Sequence, residues 1–332
     1  MSHSPSGSEA AALKRMLNIL YEEGVVSKPI LVQTQADLFT LDFGSYLRDE
    51  RALSETTIKR YTDIVSSFLN QLYPHGPVDL STLCAKDVIS FVTKEARRIG
   101  TKSSGVVGNG LRSFLKYAEY QGHTSAVLAT SVPTVAKWSE TGIPRALPAE
   151  QVEKVLNQCN RDTATGSRDY AILQLLARLG LRAGEVAGLK LEDIDWTVSA
   201  IVVRGKGGKK KQLPLPAEVG QAIAEYLQNW RVQSLDRSVF LRHRAPISGF
   251  IHPGAIGSIV GRALARAKID CTRKGSHQFR HGLATEMLRR GSSLADIGEI
   301  LGHASPRTTQ IYAKVDIDSL RLLAISWPGG AK

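Results

Sequence analysis

Residues 276–315 read SHQFRHGLATEMLRRGSSLADIGEILGHASPRTTQIYAKV. Three helices fit this stretch, at about 277–290, 293–301 and 306–323, and Leu283 and Met287 extend an apolar face on the first of them. Ser276 is expected to cap the first helix, which places His277 in its opening turn. His277 and Arg280 are three residues apart and share a face near the helix N-terminus, where backbone N–H groups and the helix dipole favour an anion. His303 follows Gly302, just past the second helix. Ser305 and Pro306 restart the chain as N-cap and first helical residue, so Tyr312 is expected in the second turn of the third helix. Two histidines, an arginine and a tyrosine are thereby drawn towards one place.

The segment LGLRAGEVAGL, residues 179–189, adds to this set. Gly180 is expected to stop a buried helix spanning about 168–179 in a left-handed cap. Arg182 opens another short helix, and Glu185, three residues on, is placed to orient its guanidinium. Residues 200–204 (AIVVR) and 210–215 flank a glycine-rich turn and read as a hairpin with Lys206 at its tip. Phosphodiester transfer needs these residue types. A tyrosine hydroxyl has a pKa of about 10, so only about 0.1% is phenolate at neutral pH, a cost of roughly 4 kcal/mol. Nearby cations or a base must offset that cost. Two planar guanidiniums can clamp the non-bridging oxygens of the transition state, and a mobile lysine can protonate the leaving oxygen. Cations then do the work that a metal does elsewhere, so no metal or other cofactor is expected. His277 and His281 are four apart and His303 would make a third metal ligand, but no Glu lies between the first pair and Arg280 repels a cation.

Composition agrees with a polyanionic partner. The 332 residues carry a formal net charge of +12 and are 42% hydrophobic, enough to bury a core. Residues 1–145 hold 16 Lys+Arg against 14 Asp+Glu, while residues 146–332 hold 27 against 17, so the basic excess lies in the C-terminal part. No basic amphipathic helix with a broad apolar face stands out and no run of about 18 apolar residues occurs. The opening MSHSPSGSEAAALKRM lacks an apolar signal core. Cys84, Cys159 and Cys271 are odd in number and far apart, which suits a reducing compartment. A cytoplasmic protein is expected, with double-stranded DNA as partner and no membrane.

The N-terminal part is helical from about residue 37. Its best segment, 56–72, carries Ile58, Tyr61, Val65, Phe68 and Leu72 on one stripe, with Ser54 as N-cap, and further helices fit 86–98 and 103–121. The expected organisation is an arm over 1–35 with one short helix near 10–22, an all-α domain over 36–125, and a linker over 126–146 marked by Pro133 and Pro144. A mixed domain over 147–323 and a tail over 324–332 follow. The fold class is mainly α with a small β-hairpin or sheet, α+β.

The combined set resembles the tyrosine recombinases, which include phage integrases and Xer-type recombinases. The matching pieces are Leu179-Gly180-Leu181-Arg182 with Glu185, Gly205-Lys206-Gly207, His277-x-x-Arg280-His281, Leu301-Gly302-His303 and Tyr312, nine residues after His303. Phe279 and Gln278 depart from the commonest pattern without removing a chemical group. The resemblance covers about residues 147–323, and the helical domain before it looks like the family's core-binding domain. It implies that Arg182 and Arg280 hold the scissile phosphate, that Lys206 is the general acid and that His277 assists proton transfer with Tyr312. It further implies that His303 bonds a phosphate oxygen and that Tyr312 forms a 3′-phosphotyrosyl link. It also implies a homo-oligomer, a tetramer on two DNA sites, with related recombinases as possible partners. The tail with Leu320, Leu323 and Trp327 is expected to dock on a neighbouring protomer. A mobile-element role is favoured over a Xer-type role in resolving chromosome dimers. A type IB topoisomerase shares the chemistry, but the LGH and GKG contexts look recombinase-like. A catalytically silent DNA-binding protein is opposed by the complete six-residue set.

Overall fold

The computed structural model describes residues 7–26, 34–74, 77–99, 101–124, 127–134, 146–205, 208, 210–270, 275–303 and 305–315. The expectations for Lys206, for residues 135–145 of the linker and for the tail beyond residue 315 fall outside them. The chain divides into two compact units, Met1–Ser139 and Glu140–Lys332. No helix among the described residues is long and apolar enough to cross a membrane.

Among its described residues the first unit is helical, with no strand: α1 (Gly7–Glu22), α2 (Gln35–Asp49), α3 (Glu55–Leu72), α4 (Ala85–Ile99) and α5 (Thr101–Tyr120). α2 starts at a reciprocal cap, in which the Thr34 hydroxyl accepts from the Asp37 N–H and the Asp37 carboxylate accepts from the Thr34 N–H. The stripe expected on α3 faces the core, with Ile58, Val65 and Phe68 buried and Tyr61 and Leu72 packed at its margin. Ser54 occupies the N-cap position of α3, but its side chain makes no capping bond; its hydroxyl meets the Thr57 hydroxyl at 3.0 Å instead. The core is built on aromatic pairs. Phe43 and Phe114 meet edge to face at 5.4 Å between ring centroids, and Phe68 and Phe91 at 5.1 Å.

The second unit is mixed. Its helices are α6 (Ala149–Asn157), α7 (Ala164–Arg178), α8 (Ala183–Ala187), α9 (Ala217–Asn229), α10 (Gly254–Arg266), α11 (His277–Arg289), α12 (Leu294–Leu301) and α13 (Pro306–Thr309). A 3-10 segment, Gln310–Val315, follows α13. The long helix expected over 306–323 is therefore broken after one turn within the described residues. α7 is the centre of the unit: apart from Tyr170, every residue from Ser167 to Ala177 is buried. It carries a buried ion pair, Arg168 to Asp169 at 2.6 Å, and Arg168 also donates to the Leu241 carbonyl at 3.0 Å. Such a charge is tolerated inside because its donors are claimed.

The expected hairpin is β2 (Ala200–Arg204) with β3 (Lys210–Pro214), antiparallel, with Ile201 opposite Leu213 and Val203 opposite Lys211. A third strand, β1 (Ile194–Asp195), extends it to a three-stranded sheet in the order β1-β2-β3. Two residues give no readable alternation, so this strand had no sequence signal. Ile201, Val203 and Leu213 point into the core, which sets the register, since a slip of one residue would expose them.

Phe114 is fully buried against Phe43 and Tyr117. Phe114→Ala is expected to cost about 3–5 kcal/mol of stability, read as a lower urea midpoint with an unchanged slope.

Candidate functional site

The site is built on two helix ends. α7 stops as expected: Gly180 has φ +60°, a left-handed conformation. A Cβ there would also lie 2.8 Å from Leu301 Cδ2 and 3.0 Å from Leu283 Cδ2, so glycine is required both by conformation and by space. The turn frees the Gly180 carbonyl, which accepts from Arg280 Nη1 at 2.7 Å. Two residues on, Arg182 is the N-cap of α8 and is held at both ends by Glu185. The Arg182 N–H donates to Glu185 Oε2 at 2.8 Å and its Nη1 donates to Glu185 Oε1 at 2.8 Å.

The second end is the C-terminus of α12. Gly302 caps it in a left-handed conformation, with φ +62°. Its last carbonyls are taken by cations from three other elements. Lys211 of β3 donates to the Glu299 and Ile300 carbonyls, Arg280 Nη2 to the Leu301 carbonyl, and Arg182 Nη2 to the Gly302 carbonyl at 3.2 Å. These are the orphan acceptors of a helix end, where the dipole also favours positive charge.

Arg280 is 4% exposed and has no carboxylate in direct contact among the described residues. Burial, then the charge of Arg182, lowers its pKa to about 10, so it stays a cation at neutral pH. A guanidinium has five N–H donors. The two carbonyls use two of them and fix the plane in which the others lie.

His303 lies just beyond the cap. Its Nδ1 is 2.8 Å from the hydroxyl of Thr309, a buried residue of α13. A Cβ on Gly298 would sit 2.9 Å from that hydroxyl, so α12 carries glycine where α13 crosses it. Burial, followed by the charges of Arg280 and Arg182, lowers the His303 pKa to about 4, and the ring is neutral at physiological pH.

Tyr312 lies in the 3-10 segment and not in a second α-helical turn. It is 1% exposed, in a small cluster with Ala284, Ile297 and Leu301. Its ring lies parallel to that of His303 at 6.3 Å, with 9° between planes. Burial raises its pKa, and the charges of Arg280 and Arg182 oppose that rise. Its hydroxyl is 2.9 Å from Nδ1 of His281. His281 belongs to the matching motif and to a possible metal pair, but nothing in its spacing marks it as the partner of a residue 31 positions away.

His277 opens α11 and is exposed, with its ring 6.4 Å from that of His281. Partial desolvation, then Arg280 and Arg182, lowers its pKa. Ser276 precedes it with helical backbone and makes no side-chain cap, because the chain is already turning there. Of the six expected residues, Arg182, His277, Arg280, His303 and Tyr312 lie among the described residues and share this region. No cluster of three or more His, Cys, Asp or Glu suited to a metal ion occurs among the described residues. The arrangement offers fixed cationic donors and a neutral imidazole to a tetrahedral anion, beside a buried phenol.

Gly180→Ala is expected to cost about 1–3 kcal/mol through strain and crowding, measured by thermal unfolding. A depressed histidine pKa binds fewer protons in the folded than in the unfolded state, so its contribution is present above about 6.5 and lost as pH falls towards about 4. His303→Gln should flatten that part of the curve of urea midpoint against pH.

Comparison with known proteins gives this geometry a context. Residues 145–318 match the phage integrase family, and residues 41–130 match the phage integrase N-terminal SAM-like domain. A Sinorhizobium fredii protein named as an integrase/recombinase, y4rA, is 47% identical over 331 residues, covering 99% of this chain and 81% of that protein. The tyrosine recombinase XerC of Oceanobacillus iheyensis is 30% identical over 296 residues, 86% of this chain and 94% of its own length. Among solved structures, the XerH site-specific recombinase in a post-cleavage complex with difH substrate matches with a TM-score of 0.70 at 18% identity, over 90% of this chain and 98% of that one. With a family model covering more than half its length and full-length relatives of that kind, the chain belongs to the phage integrase family of tyrosine recombinases.

Proposed function

We propose that this protein is a site-specific recombinase of a mobile element, acting on double-stranded DNA with Tyr312 as the nucleophile. The observation that carries the residue assignment is the placement of Tyr312 beside two guanidiniums that are fixed on the carbonyls of one helix end. Arg182 and Arg280 clamp the non-bridging oxygens of the scissile phosphate, where charge gathers in the transition state. The neutral His303 hydrogen-bonds one of these oxygens, and the exposed His277, at the start of α11, assists proton transfer to and from Tyr312. Tyr312 attacks phosphorus, the bond to the 5′ oxygen breaks, and a 3′-phosphotyrosyl link remains. Lys206 is the general acid that protonates the leaving 5′ oxygen. The link conserves the bond energy, so a 5′ hydroxyl of a partner strand reverses the step without ATP.

Two duplexes present four strands, each requiring one tyrosine, which supports a tetramer on two sites. The net charge of +12 supports a DNA partner, and a reaction on DNA favours a cytoplasmic location. Similarity to the integrase/recombinase y4rA, greater than that to XerC, favours the mobile-element role. Chromosome-dimer resolution is the second reading, supported by the full-length likeness to XerC.

A nicked suicide substrate carrying the element's own ends is expected to trap a denaturant-resistant protein–DNA complex. Tyr312→Phe should abolish it while DNA binding persists. Arg280→Lys should slow cleavage by about 10²–10³-fold, because a compact ammonium lacks the planar fork that bonds two carbonyls and still faces a phosphate. A Tyr312→Phe protein that still forms the link would refute the assignment.

A further inference from the structure

We propose that Thr309 is a positioning residue of the strand-transfer reaction: its hydroxyl, seated against the bare Cα of Gly298, fixes the ring of His303 so that Nε2 faces the scissile phosphate. The inference rests on the reading of His303 as a phosphate ligand and adds what aims it. His303 lies just past the cap of α12, where a side chain can turn about its single bonds among several rotamers. Two contacts remove that freedom. Its backbone N–H donates to the Gly298 carbonyl at 2.9 Å, and its Nδ1 meets the Thr309 hydroxyl at 2.8 Å.

Gly298 makes the second contact possible. A Cβ there would stand 2.9 Å from the Thr309 hydroxyl oxygen and 3.8 Å from both Cβ and Cγ2 of Thr309. The hydroxyl therefore fills the space that a side chain on α12 would take. Glycine weakens a helix interior relative to alanine, and this close crossing is the physical reason for one in the middle of α12. Thr309 is buried, so its hydroxyl is held against the ring and away from solvent. A hydroxyl both donates and accepts, so it holds Nδ1 in either tautomer of the imidazole. With Nδ1 taken, Nε2 on the other side of the ring is the nitrogen left for an oxygen of DNA.

The same contact bears on the nucleophile. Thr309 ends α13, and Tyr312 follows three residues later in the 3-10 segment. The Tyr312 ring lies parallel to that of His303, with 9° between planes and centroids 6.3 Å apart. One hydrogen bond thus ties the segment that carries the tyrosine to the helix end that carries the histidine and holds the two arginines. Without the hydroxyl, a half-buried ring would lose the partner of its Nδ1 and be free to turn.

The test is single-turnover cleavage of the suicide substrate by the full chain at saturating DNA. Thr309→Val keeps the shape of the side chain and removes the hydroxyl. It should slow formation of the covalent link by about 10–10²-fold, the cost of a misaimed group, with DNA affinity unchanged. Thr309→Ser should restore most of the rate. Gly298→Ala probes the contact from the other side and should slow the reaction similarly, although alanine is the better helix former. In a His303→Ala background, Thr309→Val should add no further loss, because Thr309 acts through the ring. A wild-type rate in Thr309→Val or in Gly298→Ala overturns the proposal. So does a serine variant as slow as the valine one, or a full additional loss in the His303→Ala background. Failure of the underlying reading is seen separately, in a His303→Ala protein that cleaves at the wild-type rate or a link that survives Tyr312→Phe.

Discussion

The end of α12 is the constraint on which the site depends. A helix terminus leaves its last carbonyls without partners, and here those of Glu299 to Gly302 are satisfied by Lys211, Arg280 and Arg182. Two guanidiniums this close repel each other, and the lowered pKa of Arg280 records that repulsion along with its burial. The carbonyl dipoles and the carboxylate of Glu185 offset it. A charged pair is therefore held in fixed positions by the helix end itself. The same bonds draw together α7, α8, α11, α12 and the sheet, so binding geometry and stability have a common origin.

Tyr312 is positioned differently. No cap or salt bridge holds its backbone among the described contacts; its ring is held by packing against Ala284, Ile297 and Leu301, by the face of His303 and by a tilted, edge-on contact with His281. Burial alone would silence a phenol. The charges of Arg280 and Arg182 work against that effect, and the hydroxyl lies 2.9 Å from His281 Nδ1. The residue also sits in a 3-10 segment, more tightly wound than an α-helix.

Much of this was legible in the chain. The stripe on α3, the buried character of α7, the left-handed Gly180 and the pairing of Arg182 with Glu185 follow from periodicity and from residue types three or four positions apart. Other features left no such mark. β1 is two residues long, Ser276 lies where the backbone is already helical, and the helix restarted by Pro306 changes its winding at Gln310. Local propensity does not set these; the packing of neighbours does.

The sequence by itself determined the residue types of the site, their order and their local geometry, because contacts within one helical turn are dictated by the backbone. Only the tertiary structure decided that Arg280 meets a carbonyl 100 positions away and that His281, rather than His277, touches the hydroxyl of Tyr312. His277 and His281 lie on the same helix and share a side-chain type. They differ in which one faces the packed cluster around Tyr312, and that choice belongs to the way α11, α12 and the 3-10 segment close on one another.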